Sequence, residues 1–362
     1  MFVSDCTAVK LTSNAGKPYW FRTCDIGGNI WEEGSHMVSV PKGKRLDLSG
    51  GEKLTLKHAL LGVTYSPLDT WLLDGINDAG LTGGLLALYD GTSAPTAQPG
   101  YLGIMGMELV TWLLGNCVST AEVAKAAEKI QILDVPAEWE MVPANVHYMF
   151  VDRSGKCVIL EAADPERPGM LTVYEENLGL MTNSPPYPKQ LDNLRWFLAN
   201  SPELTWGKEE PCSITLNGMT VTADCGAEHC CMGGIFPASY ASYDRFVRMA
   251  VMSFLNREGK DFPDDRILPL GSGLMCPVME PYSQGIFHYT AFDKENGPIR
   301  SLPSYTQYLV MYDLGERAIY MRPCGVSVWT KLTLERCSKE SIEHHEICRY
   351  PQGGVVEMRR RS

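Results

Sequence analysis

The chain has 362 residues, 44% hydrophobic and 21% charged, a globular composition with ample apolar material for a core. Its formal net charge of −11 argues against nucleic acid or an anionic membrane as a partner, and the one basic run, Arg359 to Arg361, reads as a solvated tail. No stretch approaches the roughly 18 consecutive apolar residues of a membrane span, and the opening residues lack the basic and apolar regions of a secretory signal, so the expected compartment is cytoplasmic.

Short runs rich in aromatic and β-branched residues, bounded by Gly and Pro, predict strands at 18–25 and 36–43. The stretch 104–132 predicts helices. Residues 104–116 are apolar around most of the surface, and Ser119-Thr120-Ala121-Glu122 offers a capping box for the helix that follows. Two apolar runs around a turn at Asp152 to Gly155 predict a hairpin over 147–164. Two more strands are predicted in 170–186, the second ending at Asn183. A helix is predicted over 243–258, with Phe246, Val247, Ala250, Val251 and Leu255 at helical spacing, and a second hairpin over 305–324 turns at Asp313 to Glu316. Strands on both sides of the helices suit one layered α+β domain better than two.

Twelve cysteines do not require a disulfide framework in a chain this long; Cys117, Cys157 and Cys276 read as small buried core residues. The irregular stretch 205–235 holds Cys212, Cys225, His229, Cys230 and Cys231. Cys and His are zinc ligands, but the spacing does not repeat a C-x₂₋₄-C pair, so a loop with incidental thiols is the favoured reading. His344-His345-Glu346 likewise lacks the H-E-x-x-H order that puts two ligands on one helical face.

Four fragments stand out together: Cys6-Thr7-Ala8 followed by Arg22-Thr23-Cys24-Asp25; Gly75 to Leu81; Met181-Thr182-Asn183-Ser184-Pro185; and Pro237 to Tyr240 leading to Asp244-Arg245-Phe246. Singly, each has an ordinary explanation. Cys6 alone is an incidental thiol, and Arg22 with Asp25 a surface ion pair of little energetic worth. Asn77 between Gly75 and Gly80 is a turn device, and the Pro after Asn183 ends a strand. In this order and at these separations they resemble the choloylglycine hydrolase family, N-terminal-nucleophile (Ntn) amidases that include conjugated bile salt hydrolases and penicillin V acylases. The resemblance runs from Cys6 to about Leu332, and its most specific element is the interval from Cys6 to Arg22 and Asp25.

That resemblance implies a four-layer αββα Ntn-hydrolase sandwich with two stacked antiparallel sheets. It divides the chain into a propeptide at 1–5, a single domain at 6–335 and a C-terminal extension at 336–362. It implies catalytic roles for Cys6, Arg22, Asp25, Asn183 and Arg245, an oxyanion hole of the Asn183 amide and the Ala87 backbone N–H, and a homo-oligomer on the tetrameric pattern. No cofactor and no metal are expected. Trp20, Ile26, Trp31 and Tyr89 are candidates for an apolar acyl pocket or for ordinary core.

Physical chemistry supports the implied roles. A thiol of ordinary pKa is only slightly ionised at neutral pH and needs a base or a positive field. An α-amino group can be that base, provided Cys6 is the first residue of the mature chain. Arg22 would supply the positive charge, Asp25 would hold the α-ammonium group, and Arg245 would support them from the rim.

Residues 1–5 precede Cys6, so the implied scissile bond is Asp5–Cys6. Ala87 stands where bile salt hydrolases tend to carry Asn and penicillin acylases Tyr, which weakens the substrate assignment. The stretch between Asn183 and Arg245 is longer than in typical relatives, and Asp244 replaces the usual Ser, which puts the tetramer in doubt. The expected substrate is a small amide with a bulky apolar acyl group, glycine- or taurine-conjugated bile salts first, then phenoxyacetyl penicillin and acyl-homoserine lactones. The rival from another class is an unprocessed homologue that binds acyl amides without cleaving them.

Overall fold

The computed structural model describes residues 4–31, 35–48, 50–64, 70–135, 145–199, 213–223, 237–258, 262–281, 288–293 and 297–345. The chain opens with the antiparallel pair β1 (Ser4–Thr12) and β2 (Pro18–Gly27), in which Cys6 lies opposite Cys24 and Ala8 opposite Arg22. It crosses to a second sheet through β3 (His36–Val40), β4 (Leu60–Thr64), β5 (Leu72–Asn77) and β6 (Thr82–Ala87). Helices α1 (Leu109–Asn116) and α2 (Thr120–Ala127) follow, and β7 (Val146–Val151), β8 (Cys157–Glu161) and β9 (Thr172–Tyr174) rejoin that sheet. Strand β10 (Leu180–Met181) returns to the first sheet, before α3 (Tyr187–Ala199), α4 (Ser242–Glu258) and α5 (Ile267–Met275). Strands β11 (His288–Asp293), β12 (Gly297–Asp313), β13 (Ala318–Pro323) and β14 (Thr330–Thr333) complete it, and β15 (Glu343–His345) pairs with β3.

The first sheet has seven strands in the order β10-β1-β2-β12-β13-β14, with β11 also paired to β12, and the second has eight, ordered β9-β8-β7-β6-β5-β4-β3-β15. Neighbours within both sheets are antiparallel. Strand β2 is buried on both faces, so its residues do not alternate between polar and apolar. One face packs on the second sheet and the other on α3, α4 and α5. A single apolar cluster accordingly joins Trp20, Leu61, Ile76 and Met149 with Phe246, Met249 and Met275. A second cluster lies under α1 and α2, where Leu113, Leu114 and Val123 meet Tyr148 and Phe150. The layers therefore run helix, sheet, sheet, helix. Gly84 marks the close approach of the sheets, since a Cβ there would lie 2.8 Å from the Trp20 ring and 2.8 Å from Asp74 Cβ.

Both predicted hairpins form, and the predicted helix at 243–258 is α4. Four expectations change; Cys276, read as a buried core residue, is exposed. Residues 102–105 pair in parallel with 130–133 as a short ribbon, so the predicted helical stretch 104–132 contributes a 3-10 turn at Gly106–Glu108 and the α-helices Leu109–Asn116 and Thr120–Ala127. Ile104, Ile130 and Ile132 are buried there, and β-branched side chains fit a pleated surface better than a helix. Ser119 does cap α2 through its Oγ, but Glu122 reaches back one residue further than a capping box, to the Val118 N–H at 2.9 Å. Leu255 is exposed while Phe246, Val247, Ala250 and Val251 are buried.

Helix α3 was not anticipated; its apolar positions Leu191, Leu194 and Leu198 are diluted by polar neighbours. The segment assigned to a C-terminal extension contributes β15 to the second sheet and buries Cys337. Cys212, Cys225, His229, Cys230, Cys231 and the tail from 346 lie outside the described residues. No helix among the described residues is long and apolar enough to cross a membrane.

Candidate active site

The register of β1 and β2 sorts the side chains into two sets, because alternate residues of a strand face opposite sides. Cys6, Ala8, Arg22 and Cys24 face the second sheet; Asp5, Thr7, Thr23 and Asp25 face the helices. Cys6 is fully buried, and Arg22 Nη2 lies 3.6 Å from its Sγ. The guanidinium is held from across the inter-sheet core. Nη1 pairs with the Asp74 carboxylate on β5 and donates to the Tyr308 hydroxyl at 3.1 Å. Asp74 also accepts from Tyr308 at 2.6 Å and from Tyr312.

Burial alone would push Arg22 towards its neutral form, but Tyr308 and Asp74 outweigh it and hold the pKa well above the usual arginine value. Burial raises Tyr308 and Tyr312, which remain protonated donors to the carboxylate. Asp74, Tyr308 and Tyr312 were missed from sequence. The available signals were a carboxylate inside the apolar run Leu72 to Ile76, and two tyrosines at even spacing on one strand.

Asn183, just past β10, converges on the same point from the other side. Its Oδ1 accepts the Cys6 N–H at 2.6 Å and Arg245 Nη2 at 2.9 Å, and its Nδ2 donates to the Ala87 carbonyl at 3.0 Å. Ala87 lies opposite Val146, while the next residue, Leu88, donates its N–H to Asn145 O. By the alternation of an antiparallel ladder, the N–H and C=O of Ala87 turn away from β7, towards Asn183. His147 steadies this corner: Nε2 lies 2.7 Å from the Thr182 carbonyl and Nδ1 2.8 Å from Glu161.

Arg245, expected at the rim, is instead fully buried near the start of α4. It donates to the Cys6 carbonyl, to Thr7 Oγ1 at 2.9 Å, to Asp5 Oδ1 at 3.1 Å and, through Nε, to Tyr240 O at 2.8 Å. It ties the Cys6 carbonyl to the helical layer directly and the Cys6 N–H through the shared Asn183 Oδ1.

The helical side of the sheet gathers carboxyls. Asp5 lies directly opposite Asp25 in the register, and Glu280 is buried nearby. Asp25 accepts from Thr23 Oγ1 at 3.0 Å and from Thr306 Oγ1, and Ser304 Oγ donates to Glu280 at 3.1 Å. Burial, then repulsion from Glu280 and Cys6, puts the Asp25 pKa well above the carboxylate range. Burial likewise raises Asp5 against the pull of Arg245, and burial with Asp5 pushes Glu280 to about 8. The Cys6 N–H is held by the Asn183 carboxamide. Between Thr306 and Tyr308 the pairing of β12 with β2 shifts by one residue. The extra residue, Gln307, donates through Nε2 to Ile26 O and Gly28 O, both at 2.9 Å.

Residues 6–261 match the family described as linear amide C–N hydrolases, choloylglycine hydrolase family. The chain belongs to that family. As a member of it, the protein is a hydrolase of linear amide C–N bonds. It is 26% identical over 256 residues to the bile salt hydrolase/transferase of Clostridium perfringens (strain 13 / Type A), covering 68% of this chain and 71% of that one. Another relative, the bile salt hydrolase/transferase of Bifidobacterium longum subsp. longum, is 26% identical over 321 residues, covering 85% of this chain and 92% of that one. In fold it is similar to a variant of conjugated bile acid hydrolase from Clostridium perfringens (TM-score 0.74, 20% identity, 97% and 99% covered). It also resembles penicillin V acylase from Agrobacterium tumefaciens (TM-score 0.67, 18% identity, 94% and 90% covered). Both are built on the Ntn-hydrolase fold, the stacked antiparallel sheets expected from sequence.

In this choloylglycine hydrolase relative, Asn77 is a turn device. Its Oδ1 accepts the Leu81 N–H at 3.0 Å, and its Nδ2 ties α1 through Leu114 O at 2.8 Å. Of the candidate pocket residues, Trp20 has no exposed surface and packs on Tyr312 at 5.6 Å, so it serves the inter-sheet core. Trp31 is half-buried against Tyr308, Ile26 is half-buried at the end of β2, and Tyr89 is exposed just beyond Ala87, its N–H donating to Ser184 Oγ at 2.6 Å. Cys337, Glu343 and His345 bring ligand-type atoms within 4.8 Å of one another. Each also has a protein partner: Thr333 O, Ser338 N and Ser39 Oγ respectively.

Proposed function

We propose that the mature enzyme begins at Cys6, and that its thiol attacks the amide carbon while its own α-amine serves as the base. The observation that carries this reading is the convergence of Arg22, Asn183 and Arg245 on one residue, contacting its sulfur, its nitrogen and its carbonyl. The Arg22 charge favours the thiolate. As the C–S bond forms, the carbonyl electrons move to oxygen, where the Asn183 amide and the Ala87 N–H are the proposed donors. The Nδ2 bond to Ala87 O fixes the orientation of that amide. Collapse breaks the C–N bond, and the α-ammonium group returns its proton to the leaving amine. Water, deprotonated by the same amine, then breaks the C–S bond of the acyl-enzyme.

The uncut chain has Asp5 in place of that amine. Residue 5 lies directly opposite Asp25, so cleavage of the Asp5–Cys6 bond would free an ammonium group beside the Asp25 carboxyl, the role read for it from sequence. We place residues 1–5 in a propeptide and 6–335 in one domain, with the remainder to 362 as an appended segment. Conjugated bile salts are the proposed substrates because the curated relatives are named for them, and Ile26, Trp31 and Tyr89 are the proposed acyl contacts. We assign the enzyme to the cytoplasm as a homo-oligomer, a tetramer by family precedent, checked by light scattering after gel filtration.

Intact mass is the first test: material starting at Cys6 supports the mechanism, and active enzyme retaining residues ahead of Cys6 refutes it. Product release from glycocholate, taurocholate, penicillin V and an acyl-homoserine lactone then fixes the substrate. Turnover of penicillin V alone would overturn the bile salt assignment.

A further inference from the structure

Cys24 is assigned no step in the hydrolysis proposed above, yet it is the residue directly across the sheet from Cys6. The type of that pairing follows from the hydrogen bonds at the far end of the hairpin. Ser13 N–H donates to Lys17 O, so in this register odd-numbered β1 residues share the ladder bonds with β2. Even-numbered residues turn their backbone groups to the other side, as Lys10 N–H to Gly179 O and Cys6 N–H to Asn183 both do. Cys6 and Cys24 therefore form a non-hydrogen-bonded pair, the class in which opposed Cα atoms stand about 4.5 Å apart and side chains are closest. A disulfide spans Cα separations of roughly 4.4–6.8 Å.

Both thiols are buried on the same face, neither is in a disulfide, and Arg22 lies against the Cys6 sulfur. A hydrogen bond to Cys6, then burial, keeps Cys24 protonated, its pKa well above the usual thiol value.

We propose that Cys24 is a resolving thiol: hydrogen peroxide oxidises Cys6, and Cys24 converts the product to a reversible Cys6–Cys24 disulfide. In the first step the Cys6 thiolate attacks one peroxide oxygen, an S–O bond forms, the O–O bond breaks, and the leaving hydroxide takes a proton to become water. In the second, the Cys24 sulfur attacks the sulfenic sulfur, the S–S bond forms and the S–O bond breaks. The departing hydroxide leaves as water with the Cys24 proton. Two thiols and one peroxide thus yield one disulfide and two waters. A dithiol reductant reverses the bond by exchange. Without Cys24, the sulfenic acid is open to irreversible oxidation to the sulfinic acid.

The bond itself does not depend on the N-terminal-nucleophile reading; the accompanying loss of activity does. The test treats the purified protein with hydrogen peroxide, blocks remaining thiols and maps non-reduced peptides by mass spectrometry, with hydrolysis measured before treatment and after dithiothreitol. The expected result is a peptide pair joined through Cys6 and Cys24, lighter by about 2 Da than the two thiols. Activity should fall roughly tenfold or more and return on reduction. In Cys24→Ala the expected product is Cys6 heavier by about 32 Da, with activity that dithiothreitol does not restore. Wild-type peptides carrying that heavier Cys6 and no cross-link would overturn the proposal, whether or not the variant folds. A cross-link formed without loss of activity would uphold the resolving thiol and count against Cys6 as the nucleophile.

Discussion

Glu280 offers the sharpest test of the buried carboxyl group beside Cys6. Replacing it with Gln keeps the shape and the hydrogen bond from Ser304 while removing the titration. Its pKa rises from the ordinary 4.5 to about 8, through burial first and Asp5 second. At about 1.4 kcal/mol per pH unit, that difference is worth on the order of 5 kcal/mol. The folded chain binds this proton more tightly than the unfolded chain, so the contribution to stability is full below the ordinary value. It is lost as pH rises through about 8. Urea unfolding of wild type and Glu280→Gln at pH values from about 5 to about 9 should therefore give curves that diverge, with the variant gaining relative stability as pH increases. Removal of Asp5 takes away the second cause, so both proteins must be compared in the same N-terminal state. Parallel stability curves across this range would refute the argument that Glu280 is held protonated.

Breaking the Asp74 pair should be costly. Asp74→Ala leaves Arg22 buried without its carboxylate, and chemical denaturation should register a loss of about 3–5 kcal/mol, while an unchanged midpoint would contradict the buried pair. Asn183→Ala removes the carboxamide that meets the Cys6 N–H, and hydrolysis should fall by about 100-fold or more with little change in KM. A rise in KM with kcat intact would assign Asn183 to binding. Gly84→Ala places a methyl group 2.8 Å from the Trp20 ring and 2.8 Å from Asp74 Cβ, so melting should reveal about 1–3 kcal/mol of destabilisation.

What sequence could reveal depended on chain separation. Cys6, Arg22 and Asp25 lie on one hairpin, so their spacing translates directly into register and the group was legible. Asn183 was legible because a short polar motif closes a strand. The partners of Arg22 were not, because Asp74 and Tyr308 reach it across the inter-sheet core, and nothing local couples positions so far apart. Arg245 was recognised but placed at the rim. An arginine near the start of a helix ordinarily faces water, and only the packing of α4 on β1 puts it in the interior. The parts of the ribbon at 104–105 and 130–132 were mistaken for helix because a short apolar run has no diagnostic period until its partner strand is known.

The one-residue shift at Gln307 has a consequence for how the two halves of the site communicate. In a regular strand Thr306 and Tyr308 would point the same way. Here the first reaches Asp25 on the helical side, and the second reaches Asp74 between the sheets. Thr306 and Tyr308, which face adjacent residues of β2 with Gln307 bulged between them, thus serve the two sides of one wall, a chamber of carboxyls behind it and a chamber of thiol and guanidinium in front. Cys6 is built into the wall itself, with its sulfur in front and its carbonyl tied from behind by Arg245. Deleting Gln307 would make the register regular, with Thr306 still opposite Asp25 and Tyr308 opposite Cys24, and would remove the amide that ties Ile26 O and Gly28 O.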